Sequence, residues 1–213
     1  MTIKKQKHWP LIVIEGLDGV GKSTQVKALA AKLNAHVIQS PPFIEDPIQP
    51  GTDLRLRMDR SSPSVRREYY RSANFFASEH AKFHLEHGPV ILDRYWPSTA
   101  SFSILDKQPP QWERLGAWPA GMTIPDVVIL LTVNEEDRLK RIGTRGIPIA
   151  DEEEKLAEKQ NHRTEVLQCL RFFDPIEIDT SAKKAEEVLD EIMMWLKYAT
   201  LIEVEPAMQQ SQS

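Results

Sequence analysis

Residues Leu11–Thr24, LIVIEGLDGVGKST, constrain this chain more than any other stretch. Four apolar residues, three of them β-branched, predict a short buried strand. They run into Gly16-x-x-x-x-Gly21-Lys22-Ser23, the spacing of a loop that cradles phosphates. Glycines allow a sharp turn and close backbone approach. Successive N–H groups, from Gly16 through Asp18, Gly19, Val20 and Gly21 to Thr24, can then face phosphate oxygens. A helix starting near Lys22 aims its positive end at the same anion. Lys22 is placed to reach β- and γ-phosphates, and Ser23 to hold Mg²⁺.

The rest of the chain alternates helical and strand-like segments, which predicts an α/β fold with a mostly parallel sheet. With 213 residues and 41 % hydrophobic content, one core and a single domain over 1–213 are expected. A net charge of −4 argues against a nucleic-acid polymer as partner and for a small phosphorylated ligand. The lone Cys169 excludes an internal disulfide framework. No apolar run approaches the ~20 residues that span a bilayer, and MTIKKQKHW lacks the apolar core of a secretory signal. The expectation is an intracellular, soluble protein of the cytoplasm or the mitochondrial matrix, with no membrane partner.

In order, the pattern predicts a helix after the phosphate loop and a strand at His36–Gln39. Residues 41–64, with five of the fifteen prolines, read as a loop holding at most one short helix. A long helix is expected from Val65 to about His87, then a strand at Val90–Asp93 and a helix at Trp96–Leu105. Residues 106–125 read as a loop and Val127–Val133 as a core strand. Helices follow at Glu135–Ile142 and Asp151–Leu170, with a loop between them. A last strand at Ile176–Ile178 precedes an amphipathic helix, Ala182–Tyr198, and a polar tail over 203–213.

Several residues are placed for chemistry. Asp93 closes a buried strand, where ligands of a parallel sheet gather, and can hold Mg²⁺. ATP-driven motors place Glu next to activate water; here Arg94 follows, which suits transfer between phosphates better than hydrolysis. No Asn-Lys-x-Asp guanine motif occurs, so a GTPase is not expected. Arg138, Arg141 and Arg145 share a helical face if the helix continues so far, broken by Gly143 and Gly146. A mobile lid over about 141–155 could bring these guanidinium groups onto the transferring phosphate. Arg55–Arg71 carries six arginines interleaved with acids; some can clamp an acceptor phosphate. Asp18 repels phosphate, so a sugar hydroxyl is its natural partner. Asp179, at a sheet edge, can border the adenine or simply cap a helix.

EGLDGVGKST, DRYWPSTASF, LKRIGTRG and IDTS together resemble the thymidylate kinase family of nucleoside monophosphate kinases, over roughly residues 10–200. SPP after the second strand, RREYY, ASEHAK and PVILDRYWPSTA are most similar to the family's UMP-CMP kinase type. The resemblance implies the P-loop kinase fold, a five-stranded parallel sheet flanked by helices. It implies that Asp18 contacts the acceptor 3′-hydroxyl, and that Asp93 and Arg94 serve Mg²⁺ and the phosphates. Ser98 and Phe102 match positions beside the acceptor base, and Arg141 and Arg145 match lid arginines. Gly19 stands where some members carry a P-loop arginine, so dependence on the lid is implied. Many members carry an aromatic residue followed four positions later by arginine on the long helix. Here the stretch is Tyr70-Arg71-Ser72-Ala73-Asn74-Phe75, with no arginine at that place. Arg55 is then the candidate for the acceptor phosphate, and Tyr70, Asn74 and Phe75 for the base. Pairing of two copies through the long helices is also implied.

The expected reaction is ATP- and Mg²⁺-dependent phosphorylation of UMP, CMP, dUMP or dCMP. dTMP is the alternative acceptor, and an ATP-binding regulatory module without turnover is a second alternative.

Overall fold

A computed structural model describes residues 8–105, 109–143, 160–199 and 201–202. The elements are β1 (Leu11–Glu15), α1 (Lys22–Leu33), β2 (His36–Gln39), α2 (Leu54–Asp59), α3 (Pro63–His84), β3 (Val90–Asp93) and α4 (Trp96–Leu105). After these come β4 (Val127–Thr132), α5 (Glu135–Gly143), α6 (Gln160–Arg171), β5 (Ile176–Asp179) and α7 (Ala185–Tyr198). The strands form one parallel sheet in the order β2-β3-β1-β4-β5, flanked by helices as expected.

Alternation along β1 sends Leu11 and Val13 to one face and Ile12 and Ile14 to the other. On the first face, Leu11 and Val13 join Val90, Leu92, Tyr95 and Trp96 beneath α3 and α4. A stripe of Ala73, Ala77 and Ala81 lets the long α3 lie close to the sheet. On the second face, Ile12 and Ile14 meet Leu29 of α1 and Val188, Ile192 and Leu196 of α7. Both faces of the central strands are therefore dry, which accounts for their uninterrupted apolar runs.

Several boundaries differ from the sequence pattern; α3, for one, ends at His84 rather than about His87. α3 begins at Pro63 rather than Val65, because a proline at the first helical position loses no hydrogen bond. α7 begins at Ala185 rather than Ala182. Ala182 has φ 54, outside the helical region, and the Lys184 N–H donates to Glu187 Oε2 at 2.6 Å. The helix read from Asp151 is described only from Gln160. Residues 144–159, which carry most of the expected lid, and the 203–213 tail lie outside the described residues.

Candidate active site

β1 delivers the chain to a turn that only glycine tolerates. A Cβ on Gly16 would stand 2.7 Å from the Leu131 carbonyl oxygen and 2.9 Å from Val20 Cγ2. Gly19, at φ 86, has the same constraint from another side: a Cβ would meet Arg138 Cγ at 2.7 Å. Gly21 then caps α1 in the left-handed region without a side-chain hydrogen bond, and the first turn contains no acid. The leading N–H groups and the positive end of α1 therefore meet no carboxylate of their own helix. Gly16, Asp18, Gly19, Val20, Gly21, Lys22, Ser23 and Thr24 thus form one continuous cradle.

Beside it, β3 pairs with β1 in register, Ile14 opposite Asp93. Lys22 Nζ donates to Asp93 Oδ1 at 2.7 Å. Burial, and next the charge of Arg94, push the Lys22 ammonium below its usual range, while Asp93 opposes them. Arg94 sits at φ 66 and donates its N–H to the Ile14 carbonyl at 3.1 Å. Its Nη1 donates to Ser98 Oγ at 3.3 Å, and its Nη2 lies 3.8 Å from Asp18 Oδ1. Two cations thus meet at the loop, Lys22 from the start of α1 and Arg94 from just past the end of β3, with Asp18 on the Arg94 side.

Beneath these groups lies a residue the sequence pattern gave no role, Glu15. It is 0 % exposed and accepts from Tyr95 N–H (3.0 Å), Ser98 N–H (3.2 Å) and Ser98 Oγ (2.6 Å). It therefore ties the start of α4 to the end of β1. The one available signal was a charged residue closing an otherwise apolar strand. Burial raises the Glu15 carboxyl above its ordinary value, against Arg94 and the three hydrogen bonds. A carboxyl raised on folding gives its full stability below the unfolded pKa, about 4.3, and loses it as pH rises through the folded value. Glutamine has no such dependence. Glu15→Gln is expected to cost about 1–3 kcal/mol near pH 4, shrinking toward pH 8, as read from urea midpoints. A cost that grows with pH would show that folding favours the carboxylate.

On the opposite side, Arg141 Nη1 donates to Thr180 Oγ1 (2.9 Å) and the Gly19 carbonyl (3.3 Å), and Nη2 to the Thr180 carbonyl (2.7 Å). This guanidinium edges a cavity of ≈ 270 Å³, lined also by Val20, Thr24, Gln25, Thr180 and Val188. Asp179, expected to border the adenine or to cap a helix, accepts from the Ser181 N–H (2.9 Å) and Oγ (2.6 Å). Its neighbour Thr180 lines the cavity. Arg138 does not join Arg141: it is buried and paired bidentately with Glu135 at 2.8 and 2.9 Å, which also binds Arg163 at 2.8 Å. Arg145 lies outside the described residues.

The acceptor-side candidates separate into engaged and open groups. Tyr70 donates its hydroxyl to Asp59 Oδ1 at 2.7 Å. Asn74 spends its amide on the Tyr70 carbonyl and Thr99 Oγ1, and accepts from Ser40 Oγ. Asn74 is therefore a strut between β2, α3 and α4 rather than an open base reader. Phe75 sits 39 % exposed on α3. The helix face toward α4 presents Arg67 instead, 5.7 Å from the Tyr70 ring centre and 5.5 Å from that of Phe102. Arg57 pairs with Asp46 at 2.7 Å, and Arg71 with Glu113, Glu68 and Ser103. Arg55 differs: its Nε is buried with no hydrogen bond among the described residues, 4.0 Å from Asp53 Oδ2.

The residues present fit a nucleotide-bound Mg²⁺. Asp93 uses Oδ1 for Lys22, leaving Oδ2 without a partner among the described residues, and the exposed Ser23 opens the helix beside it. Among the described residues no three acids, histidines or cysteines form a cation cage. Mg²⁺ binds through one or two protein oxygens plus substrate phosphates, which Ser23 and Asp93 could supply.

The thymidylate kinase family model matches residues 14–192. Human mitochondrial UMP-CMP kinase 2 is 33 % identical over 172 residues, 77 % of this chain but 36 % of that protein's length. Probable thymidylate kinases of Methanocaldococcus jannaschii and Methanococcus vannielii are 31 % and 29 % identical, with 95 % and 92 % of their lengths covered. Thymidylate kinase of Candida albicans superposes with a TM-score of 0.68 at 20 % identity, over 95 % of this chain and 97 % of that one. Deoxyadenosine kinase of M. mycoides follows at 0.60 and 19 %, over 87 % and 98 %. The fold is that of the P-loop kinases.

Proposed function

The chain belongs to the thymidylate kinase family of nucleoside monophosphate kinases, and we propose that it transfers the γ-phosphoryl of ATP to dTMP. The carrying observation is the pair of cations at the phosphate cradle, Lys22 at the start of α1 and Arg94 just past the end of β3. Of the two acceptor readings made from the sequence, dTMP gains weight from archaeal thymidylate kinases covered over more than nine-tenths of their length. UMP and CMP stand second, favoured by the human relative, of which this chain spans about a third.

In this reading an acceptor phosphate oxygen attacks the γ-phosphorus of ATP, the bridging bond to the β-phosphate breaks, and ADP leaves. Lys22 and the cradle amides hold the donor phosphates, while Arg94 faces the charge that accumulates between donor and acceptor. Ser23 and Asp93 would hold Mg²⁺, which when bound neutralises phosphate charge and aligns the oxygens. Asp18 accepts from the acceptor sugar hydroxyl, and Arg55 binds its phosphate. What supports that last assignment is that the Arg55 side chain is 34 % exposed and its Nε makes no hydrogen bond among the described residues, only a 4.0 Å approach to Asp53. Arg55→Ala is expected to raise KM for the monophosphate by about 10–100-fold, with a smaller fall in kcat. An unchanged KM removes Arg55 from the acceptor site.

The test of function is ADP release from ATP-Mg²⁺ with dTMP, UMP, CMP, dUMP, dCMP, AMP, GMP, thymidine and deoxycytidine. Highest kcat/KM on dTMP supports the proposal. Preference for UMP or CMP moves it to the second reading, and turnover on nucleosides alone overturns the acceptor-phosphate assignment. ATP binding without turnover on any acceptor would point to the regulatory module.

A further inference from the structure

Glu15 places a carboxyl directly ahead of Gly16 and the phosphate cradle, where negative charge works against a phosphorylated ligand. It is fully buried, so it meets no ligand itself. An acid buried in such a place is costly unless it serves the groups around it. Those groups are the two cations of the site. Burial raises the Glu15 carboxyl and the charge of Arg94 acts against it. Burial and Arg94 lower the Lys22 ammonium, and Glu15, with Asp93, acts against them.

The link to Arg94 runs through one hydroxyl. Ser98 Oγ donates its single proton to Glu15 Oε2 at 2.6 Å. Its lone pairs are then what face Arg94, whose Nη1 donates to the same oxygen at 3.3 Å. Glu15 Oε1 meanwhile accepts from the Tyr95 and Ser98 N–H groups at 3.0 and 3.2 Å, which fixes the first turn of α4 and the Ser98 backbone with it. The Ile14 carbonyl holds the Arg94 N–H and so places its Cα, but the direction of a long side chain needs a further anchor. Asp18, 3.8 Å from Nη2, is assigned above to the acceptor sugar, whereas Ser98 stays committed to Glu15. We infer that Glu15 is a positioning residue for phosphoryl transfer, acting through the Ser98 hydroxyl to hold the Arg94 guanidinium toward the phosphates. This rests on the reading of the chain as a kinase that uses Arg94.

In Glu15→Gln the amide oxygen can still accept from the two N–H groups, but its NH2 then faces Ser98 Oγ. The Ser98 proton is turned toward Arg94, donor against donor. Ser98→Ala removes the link and leaves the Glu15 carboxyl and the two N–H contacts in place. Single-turnover rates with ATP-Mg²⁺ and the acceptor of highest kcat/KM would be measured for the native protein, both variants and the double variant. The same substitutions would be repeated in Arg94→Ala, with urea midpoints throughout. Each single variant is expected to slow transfer about 10–30-fold, the scale of one hydrogen bond to a charged group, with KM for ATP within about threefold of native. The double variant should match the slower single one within about twofold, and neither substitution should slow Arg94→Ala by more than about twofold. If Glu15 only braces the fold, its urea midpoint will fall at an unchanged rate, or its rate loss will carry over in full to Arg94→Ala; either result overturns the inference. A native rate in Ser98→Ala overturns the route through the hydroxyl. Should Glu15→Gln fail to fold, Ser98→Ala, alone and combined with Arg94→Ala, decides the matter. Failure of the native protein to phosphorylate any acceptor overturns the kinase reading and the inference with it. A native enzyme crippled by Arg94→Ala but indifferent to Glu15→Gln and Ser98→Ala overturns the inference alone.

Discussion

Lys22→Ala is expected to lower kcat by about 10²–10³, the usual cost of removing one preorganised charge that faces the transition state. The fold should survive. The ammonium sits at the mouth of the sheet, where burial and the Arg94 charge already disfavour its charged form. Removing it relieves that cost while ending its 2.7 Å contact with Asp93, so the two effects oppose one another in stability. Far-UV circular dichroism should match the native protein, and KM for the acceptor should change much less than kcat. A rate within about threefold of native would remove Lys22 from the γ-phosphate.

The second large effect separates chemistry from strain at one residue. Arg94 holds a left-handed backbone at φ 66, which costs an L side chain roughly 1–2 kcal/mol. Its guanidinium lies between Ser98 and Asp18, where donor and acceptor phosphates would meet. Arg94→Ala is expected to lower kcat by about 10³ or more, as loss of a phosphate-bridging arginine does. Arg94→Gly should be as inactive, yet more stable than Arg94→Ala by about 1 kcal/mol, because only glycine adopts this φ freely. Single-turnover rates and urea midpoints on the two variants read the two effects independently. Activity within tenfold of native in either variant sinks the role; equal stability of the two sinks the strain.

The proposed catalytic centre was legible in the sequence because each part has a local cause. Gly16, Gly21 and Lys22 lie within one turn of chain, and Asp93 and Arg94 follow an unmistakable apolar strand. Acceptor and base contacts resisted because they are settled by partners far along the chain. Tyr70 and Asn74 looked available until Asp59, Thr99 and Ser40 were seen to occupy them. Arg138 shared a helical face with Arg141, but Glu135 withdraws it from solvent with Arg163, another helix away. Glu15 was hidden for the opposite reason: the residues it organises, Tyr95 and Ser98, lie eighty positions downstream.

The ladder between β1 and β3 has a further consequence. Ile14 faces Asp93 in register, and the Ile14 carbonyl then takes the Arg94 N–H, so backbone geometry alone sets the spacing between the phosphate loop and its two partners. The parts proposed to recognise the acceptor sit elsewhere, on α2, α3 and the connections around them. A lineage can therefore redraw those outer walls one substitution at a time, changing which monophosphate is admitted, while the reacting distances stay untouched. Kinship to enzymes named for different pyrimidines is what such a division of labour leaves behind.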